Sequence, residues 1–222
     1  MRGSQPTIQD RLEFQGEALH PDKPAGPKTL SSRTAGLILA GGLGRRFGGP
    51  KAFAHLPDGR TFLEACVGVM LRGGLGPLVA TLPPTVDGSI PPFLETLQLP
   101  GPDLDMFASL RLGAQHLVKD SNWARLILLP VDHPLIDAST IKILASQDHP
   151  AAIPTLDGRH GHPIMISRSI AEAIVGERLL GPTLREVLQA APAHDTPVED
   201  RGIRANCNTP GTLKEAWNAL NG

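Results

Sequence analysis

The chain predicts an α/β fold in three layers around a mostly parallel central sheet. Three observations carry this. From Ala35 onward, short apolar runs alternate with amphipathic segments, the pattern of βαβ units. The run from Arg125 to Val131 is almost entirely apolar, as a central strand covered on both faces requires. The first run, Ala35 to Ala40, stops abruptly in a turn rich in glycine. A length of 222 residues with 41% hydrophobic content suits one such domain with a sizeable core.

The elements follow in order. Residues 1–33 carry Pro6, Pro21, Pro24 and Pro27 among scattered charges, so they read as a flexible extension with at most a short helix around Ile8 to Phe14. Residues 34–222 read as a single domain. Strand one is Ala35 to Ala40. A helix begins at Thr61, because Glu64 three residues later completes a capping box, and Gly73-Gly74 ends it. Phe62, Leu63, Cys66, Val67 and Met70 form its buried stripe. Strand two is Leu78 to Leu82, and the prolines at 83–84 and 91–92 mark a long irregular connection. A helix from Met106 to Val118 turns Leu110, Ala114 and Leu117 inward, and the strand Arg125 to Val131 follows.

In the second half, Ser139 or Thr140 starts a helix. Ala151 to Thr155 and Pro163 to Ile166 read as strands around a polar turn. Ser169 caps a helix to about Leu179, and Pro182 at a first helical position opens another that buries Leu184, Val187 and Leu188. Thr209-Pro210 starts the last helix, which docks through Leu213, Ala216, Trp217 and Leu220.

Charge excludes some functions. Lys and Arg number 21 against 22 Asp and Glu, so no global basic field attracts nucleic acid, and any anion site must be local. Cys66 and Cys207 read as buried free thiols in a reducing compartment. No apolar run reaches the roughly 18–20 residues of a membrane span, and no secretory signal is evident. A soluble cytoplasmic protein is the expectation.

The glycine turn is the local anion site. Gly41, Gly42, Gly44, Gly48 and Gly49 let backbone N–H groups approach an anion closely, and Arg45, Arg46 and Lys51 add positive charge. Two common phosphate motifs fail here. A Walker A loop needs a hydroxyl after its lysine, but Ala52 follows Lys51; a dinucleotide fingerprint needs a glycine where Phe47 stands. Asp132 is the second site, at the carboxyl end of the central strand, where open α/β sheets bind ligands. A lone carboxylate there suits Mg²⁺, which takes one or two carboxylates plus phosphate oxygens; the alternative is a cap for the His133-Pro134 turn. His133 is a turn residue or a substrate contact. His160-x-His162 lacks a third ligand for zinc.

Four segments carry a resemblance. Residues 39–51, Leu-Ala-Gly-Gly-Leu-Gly-Arg-Arg-Phe-Gly-Gly-Pro-Lys, are similar to the first motif of the molybdenum cofactor nucleotidyltransferases, the MobA/MocA-like NTP transferases. Leu-Pro-Val-Asp-His-Pro resembles the family's metal-binding turn at Asp132. Met106-Phe107-Ala108-Ser109 and Gly161-His162-Pro163 resemble segments of the cytidylyl branch, and Asn206-Cys207-Asn208-Thr209-Pro210 resembles the last motif in its guanylyl form.

The resemblance implies a Rossmann-like nucleotidyltransferase fold of GT-A type and an enzyme that joins the α-phosphorus of a nucleoside triphosphate to an acceptor phosphate, releasing pyrophosphate. It implies Lys51, Arg46 and Asp132 as catalytic groups. Nucleotide contacts would come from Leu39, Ala40, Gly41, Gly42, Gly44, Arg45 and Ser109, with Arg111 and Asp103 or Asp105 nearby. Substrate contacts would come from His162 and His133, and Mg²⁺ would sit at Asp132 with Asn208. The expected partners are CTP or GTP and a molybdopterin-type acceptor. Cytidylyl transfer is the favoured expectation, with guanylyl transfer, a sugar-phosphate acceptor and a non-catalytic nucleotide-binding protein as alternatives.

Overall fold

A computed structural model describes residues 33–86, 88–101, 104–178, 183–190 and 193–221. The expected extension, residues 1–32, lies outside this range, as do Leu179, Pro182 and Asp103. The elements are β1 (Arg33–Leu39), α1 (Phe62–Arg72), β2 (Leu78–Leu82), β3 (Glu95–Gln98), α2 (Met106–Leu117), β4 (Trp123–Pro130), α3 (Ala138–Ala145), β5 (Ala151–Leu156), β6 (Arg159–His160), β7 (Ile164–Ser167), α4 (Arg168–Val175), α5 (Leu184–Ala190), β8 (Ala193–Pro197) and α6 (Pro210–Asn221).

The sheet runs β3-β2-β1-β4-β7-β5-β6, with β8 beside β5. The β3-β2-β1-β4 half is parallel, whereas β7 enters antiparallel between β4 and β5. The sheet is thus mixed, though largely parallel. Alternate residues of β1 and β4 face opposite layers. Ala35, Leu37, Leu126 and Leu128 pack with α2, α4 and α5, while Ile38, Ile127 and Leu129 pack with α1, α3 and α6. That alternation produces the three layers.

Local signals fix most boundaries. Thr61 and Glu64 form the expected capping box, and all five expected stripe residues of α1 are buried. Several expectations shift. β1 starts at Arg33, one residue inside the expected extension. Asp137, whose carboxylate accepts from Ser139 N, caps α3 in place of Ser139 or Thr140. Ser167, not Ser169, caps α4, and that helix stops at Gly176. Near α5, the Thr183 hydroxyl accepts from Glu186 N at 3.3 Å.

Strands β3, β6 and β8 are additions. Glu95–Gln98 and Ala193–Pro197 have few apolar residues, so alternation does not reveal them; edge pairing alone makes them strands.

Strand order positions the site. From β1 the chain goes outward to β2 and β3, then returns to lay β4 on β1's other side. The ends of β1 and β4 flank the point where strand order reverses, the crevice in which open α/β sheets bind ligands. Their register pairs Leu39 with Pro130. The glycine turn and Asp132 therefore leave the sheet side by side.

Candidate active site

The glycine turn is held by its own backbone. Gly44 has φ of 57°, and a Cβ on it would collide with the Gly49 carbonyl and press on Lys51 N. Only glycine permits this close return. Phe47 N donates to Gly44 O at 2.7 Å, closing a short 3₁₀ turn over Arg45–Phe47, and a second one spans Lys51–Phe53. The turn thereby brings Lys51 back toward the sheet. Gly42 faces open space, and the Arg46 side chain is exposed.

Lys51 is the centre of the site. Its Nζ lies 3.2 Å from Asp132 Oδ2 and also donates to Asn208 Oδ1. The two side chains of the ion pair are only 19% and 18% exposed, so solvent screens them weakly. Residues 81 and 157 positions from Lys51 thus supply two oxygens to one cationic atom. The Asn208 segment is tied down where Cys207 N donates to the Asp132 carbonyl at 2.8 Å.

Two histidines sit beside this cluster. The His133 and His162 ring centroids are 4.7 Å apart, and each ring buries an Nδ1 that has no hydrogen-bond partner among the described residues. Burial pushes the His162 pKa down to about 4, with His133 adding to the effect. Burial also lowers that of His133, against the opposing pull of Asp132. Both rings are neutral near pH 7 and add no positive charge to the site. The cysteines are free and buried, and burial raises both thiols, Cys207 to about 11, so neither is a ready nucleophile.

Other expected residues are placed differently. Ser109 is 4% exposed, not on an open helix face; its hydroxyl donates to Asp105 O and it lies against Gly41. Asp105 caps α2 by accepting from Ala108 N at 2.7 Å. Arg111 pairs with Glu177 at 2.6 Å, away from the cluster's hydrogen bonds. Ala40 N donates to Thr81 O and Leu39 O accepts from Val131 N, so these groups extend the sheet and are committed before any ligand arrives. His160 pairs with Asp195, not with His162. Backbone groups that sequence reasoning missed are Cys207 N and the Ile203 carbonyl, which accepts from His162 N at 2.9 Å. No residue type announces such contacts.

The donor set can be tested against a cation. The Asp132 carboxylate and the Asn208 amide oxygen already converge on a positive atom, and both are hard oxygen donors. That fits a hard divalent ion that keeps waters and shares phosphate oxygens. Among the described residues no group of three or more His, Cys, Asp or Glu could hold a metal. A site with one carboxylate and one amide oxygen is therefore what these residues can offer.

Residues 36–196 match the family described as the MobA-like NTP transferase domain. The chain belongs to this family. It is a nucleotidyltransferase, of the class that transfers nucleotidyl groups, and such enzymes typically use a divalent metal. A protein named probable molybdenum cofactor guanylyltransferase, from Bacillus cytotoxicus, is 30% identical over 195 residues, spanning 83% of this chain and 86% of that one.

Among solved structures, Rv0371c from Mycobacterium tuberculosis H37Rv superposes with a TM-score of 0.69 at 20% identity, over 86% of this chain and 100% of that chain. The 2-C-methyl-D-erythritol 4-phosphate cytidylyltransferase of Thermus thermophilus does so with a TM-score of 0.61 at 19% identity, over 86% and 100%. These two likenesses establish a shared fold. No helix among the described residues is long and apolar enough to cross a membrane.

Proposed function

We propose that this transferase moves a guanylyl group from GTP to the terminal phosphate of a molybdopterin-type acceptor. The observation that carries the transfer chemistry is the convergence of Lys51, Asp132 and Asn208 at the ends of β1 and β4. The sequence favoured cytidylyl transfer, through Met106 to Ser109 and Gly161 to Pro163. Two observations now favour guanylyl transfer: the 30% identical relative carries that name, and Asn208 rather than an acid completes the cluster. Ser109, one of the residues behind the cytidylyl expectation, is buried against Gly41 with its hydroxyl on a backbone carbonyl.

The reaction forms a bond from an acceptor phosphate oxygen to the α-phosphorus, breaks the bridge between α- and β-phosphates, and releases pyrophosphate. Both reactants are anions, so alignment and charge neutralisation dominate the barrier. The amides of Gly41, Gly42 and Gly44, with Arg46, cradle the triphosphate. Lys51 offsets charge that develops on the leaving pyrophosphate. Asp132 and Asn208 are the residues that would hold Mg²⁺, which supplies charge neutralisation on phosphate oxygens when bound. The acceptor phosphate is ionised near neutral pH, so no general base is needed. His133 and His162, neutral and buried beside Asp132, wall the acceptor side.

Pyrophosphate release, measured with each nucleoside triphosphate and molybdopterin, tests this. GTP is expected to give the highest kcat/KM. A preference for CTP restores the cytidylyl reading, and release only with a sugar phosphate overturns the acceptor.

A further inference from the structure

We infer that Asp200 is a positioning residue, whose carboxylate sets the spacing between the two oxygens that meet at Lys51. Asp132 and Asn208 stand on separate loops. One runs from Asp132 into α3; the other runs from Asp200 through a short 3₁₀ turn, Arg201–Arg204, to Asn208. Asp200 lies at the start of the second loop and binds both. Its Oδ2 accepts from Asp137 N at 2.8 Å and from the Thr140 hydroxyl at 2.8 Å, while its Oδ1 accepts from Gly202 N at 2.7 Å.

The two loops touch along their length. A Cβ on Gly202 would overlap the Leu135 carbonyl, so backbone lies directly against backbone there. Farther on, Cys207 N donates to Asp132 O, while Ile203 O ties the second loop to the β6–β7 turn by accepting from His162 N. Those later ties are main-chain bonds. Asp200 makes two side-chain hydrogen bonds that join the Asp132 loop and the start of α3 to the Asn208 loop. Three of its roughly four acceptor positions are taken by these donors, all from the two loops and the start of α3, so it acts through the loops. Groups that orient metal ligands from behind typically change metal affinity or activity by about 10–100-fold when mutated.

The inference rests on the proposed pairing of Asp132 with Asn208 at a divalent ion. The experiment uses the full chain and Mn²⁺ as the probe, with calorimetric binding, kcat and KM for GTP, thermal melting and hydrogen exchange over residues 200–208. For Asp200→Asn we expect Mn²⁺ binding about 10–100-fold weaker and a kcat lowered by a similar factor. KM for GTP should hold, excess Mn²⁺ should recover kcat, and exchange at Cys207 should quicken. Asp200→Glu should recover part of the affinity.

A variant that melts lower yet keeps Mn²⁺ affinity and kcat reduces Asp200 to a structural residue and overturns the inference. If Asp200→Asn does not fold, Thr140→Val removes one of the three bonds and should weaken Mn²⁺ binding in the same direction; unchanged binding there also overturns it. Asp132→Ala separates the two claims. Should it keep wild-type Mn²⁺ affinity, the cation reading itself fails, and unchanged exchange at Cys207 in Asp200→Asn then removes the positioning role as well.

Discussion

The glycine turn and the Asn206–Asn208 segment reach the same ammonium, but different forces hold them there. The turn follows β1 directly, and its shape comes from glycines within a dozen residues, with Gly44 at φ of 57° folding the chain back onto Gly49 and Lys51. The Asn208 segment has no such local code. It is held at a distance by Cys207 N on the Asp132 carbonyl and by Ile203 O on His162 N. The parallel half of the sheet thus presents a self-contained glycine turn, the proposed anion cradle. The segment after β8 contributes an oxygen that is correctly placed only when several separate loops agree.

If this contrast is right, damage to the two regions should differ in kind. The largest effect is expected from Asp132→Ala. It removes the one carboxylate of the cluster and leaves Lys51 half-buried with only a neutral acceptor. Turnover should fall on the order of 100-fold, with circular dichroism unchanged. Lys51→Ala comes next, at about 10–100-fold in kcat, since one charge-assisted contact of roughly 1.5–3 kcal/mol is lost. A near-wild-type rate in either variant would falsify the roles given to the pair.

Gly44→Ala should act through stability. A side chain at that φ costs about 1–3 kcal/mol, and the overlap with Gly49 O adds to it. A lower melting temperature accompanied by lost nucleotide binding is expected; an unchanged melt would mean the turn is less constrained than described.

The smallest effect concerns pH. His162 titrates near 4 in the fold but near 6.5 when unfolded, so between those values the unfolded chain binds more protons. Stability is therefore full above about pH 6.5 and declines as pH falls toward about 4, and His133 pulls in the same direction. Denaturant midpoints measured across this range should fall with acid, and His162→Gln should flatten the slope. A slope that the substitution leaves intact assigns the acid sensitivity elsewhere.

Much of this was legible in advance, and the reasons are specific. The Thr61/Glu64 box, the stop at Gly73 and the apolar run of β4 are signals within one or two turns of chain, and each lands within a few residues of the observed boundary. Strands β3 and β8 were missed because Glu95–Gln98 and Ala193–Pro197 are polar segments made into strands by their neighbours. The cap of α4 was placed at Ser169 because two serines flank Arg168, and only the observed bond from Ile170 N to the Ser167 hydroxyl distinguishes them. Ser109 was expected to touch the nucleotide, but nothing in the sequence says that its hydroxyl is taken by Asp105 O and that it packs against Gly41.

By itself the sequence determined the glycine turn and the strand end that carries Asp132, because glycine conformation and apolar runs act on neighbouring residues. Tertiary structure alone decided that Asn208 shares Lys51 with Asp132, that His133 lies on His162, and that Asp200 fastens two loops. Those pairings depend on which chain ends a folded sheet places side by side, and spacing along the chain carries no record of that.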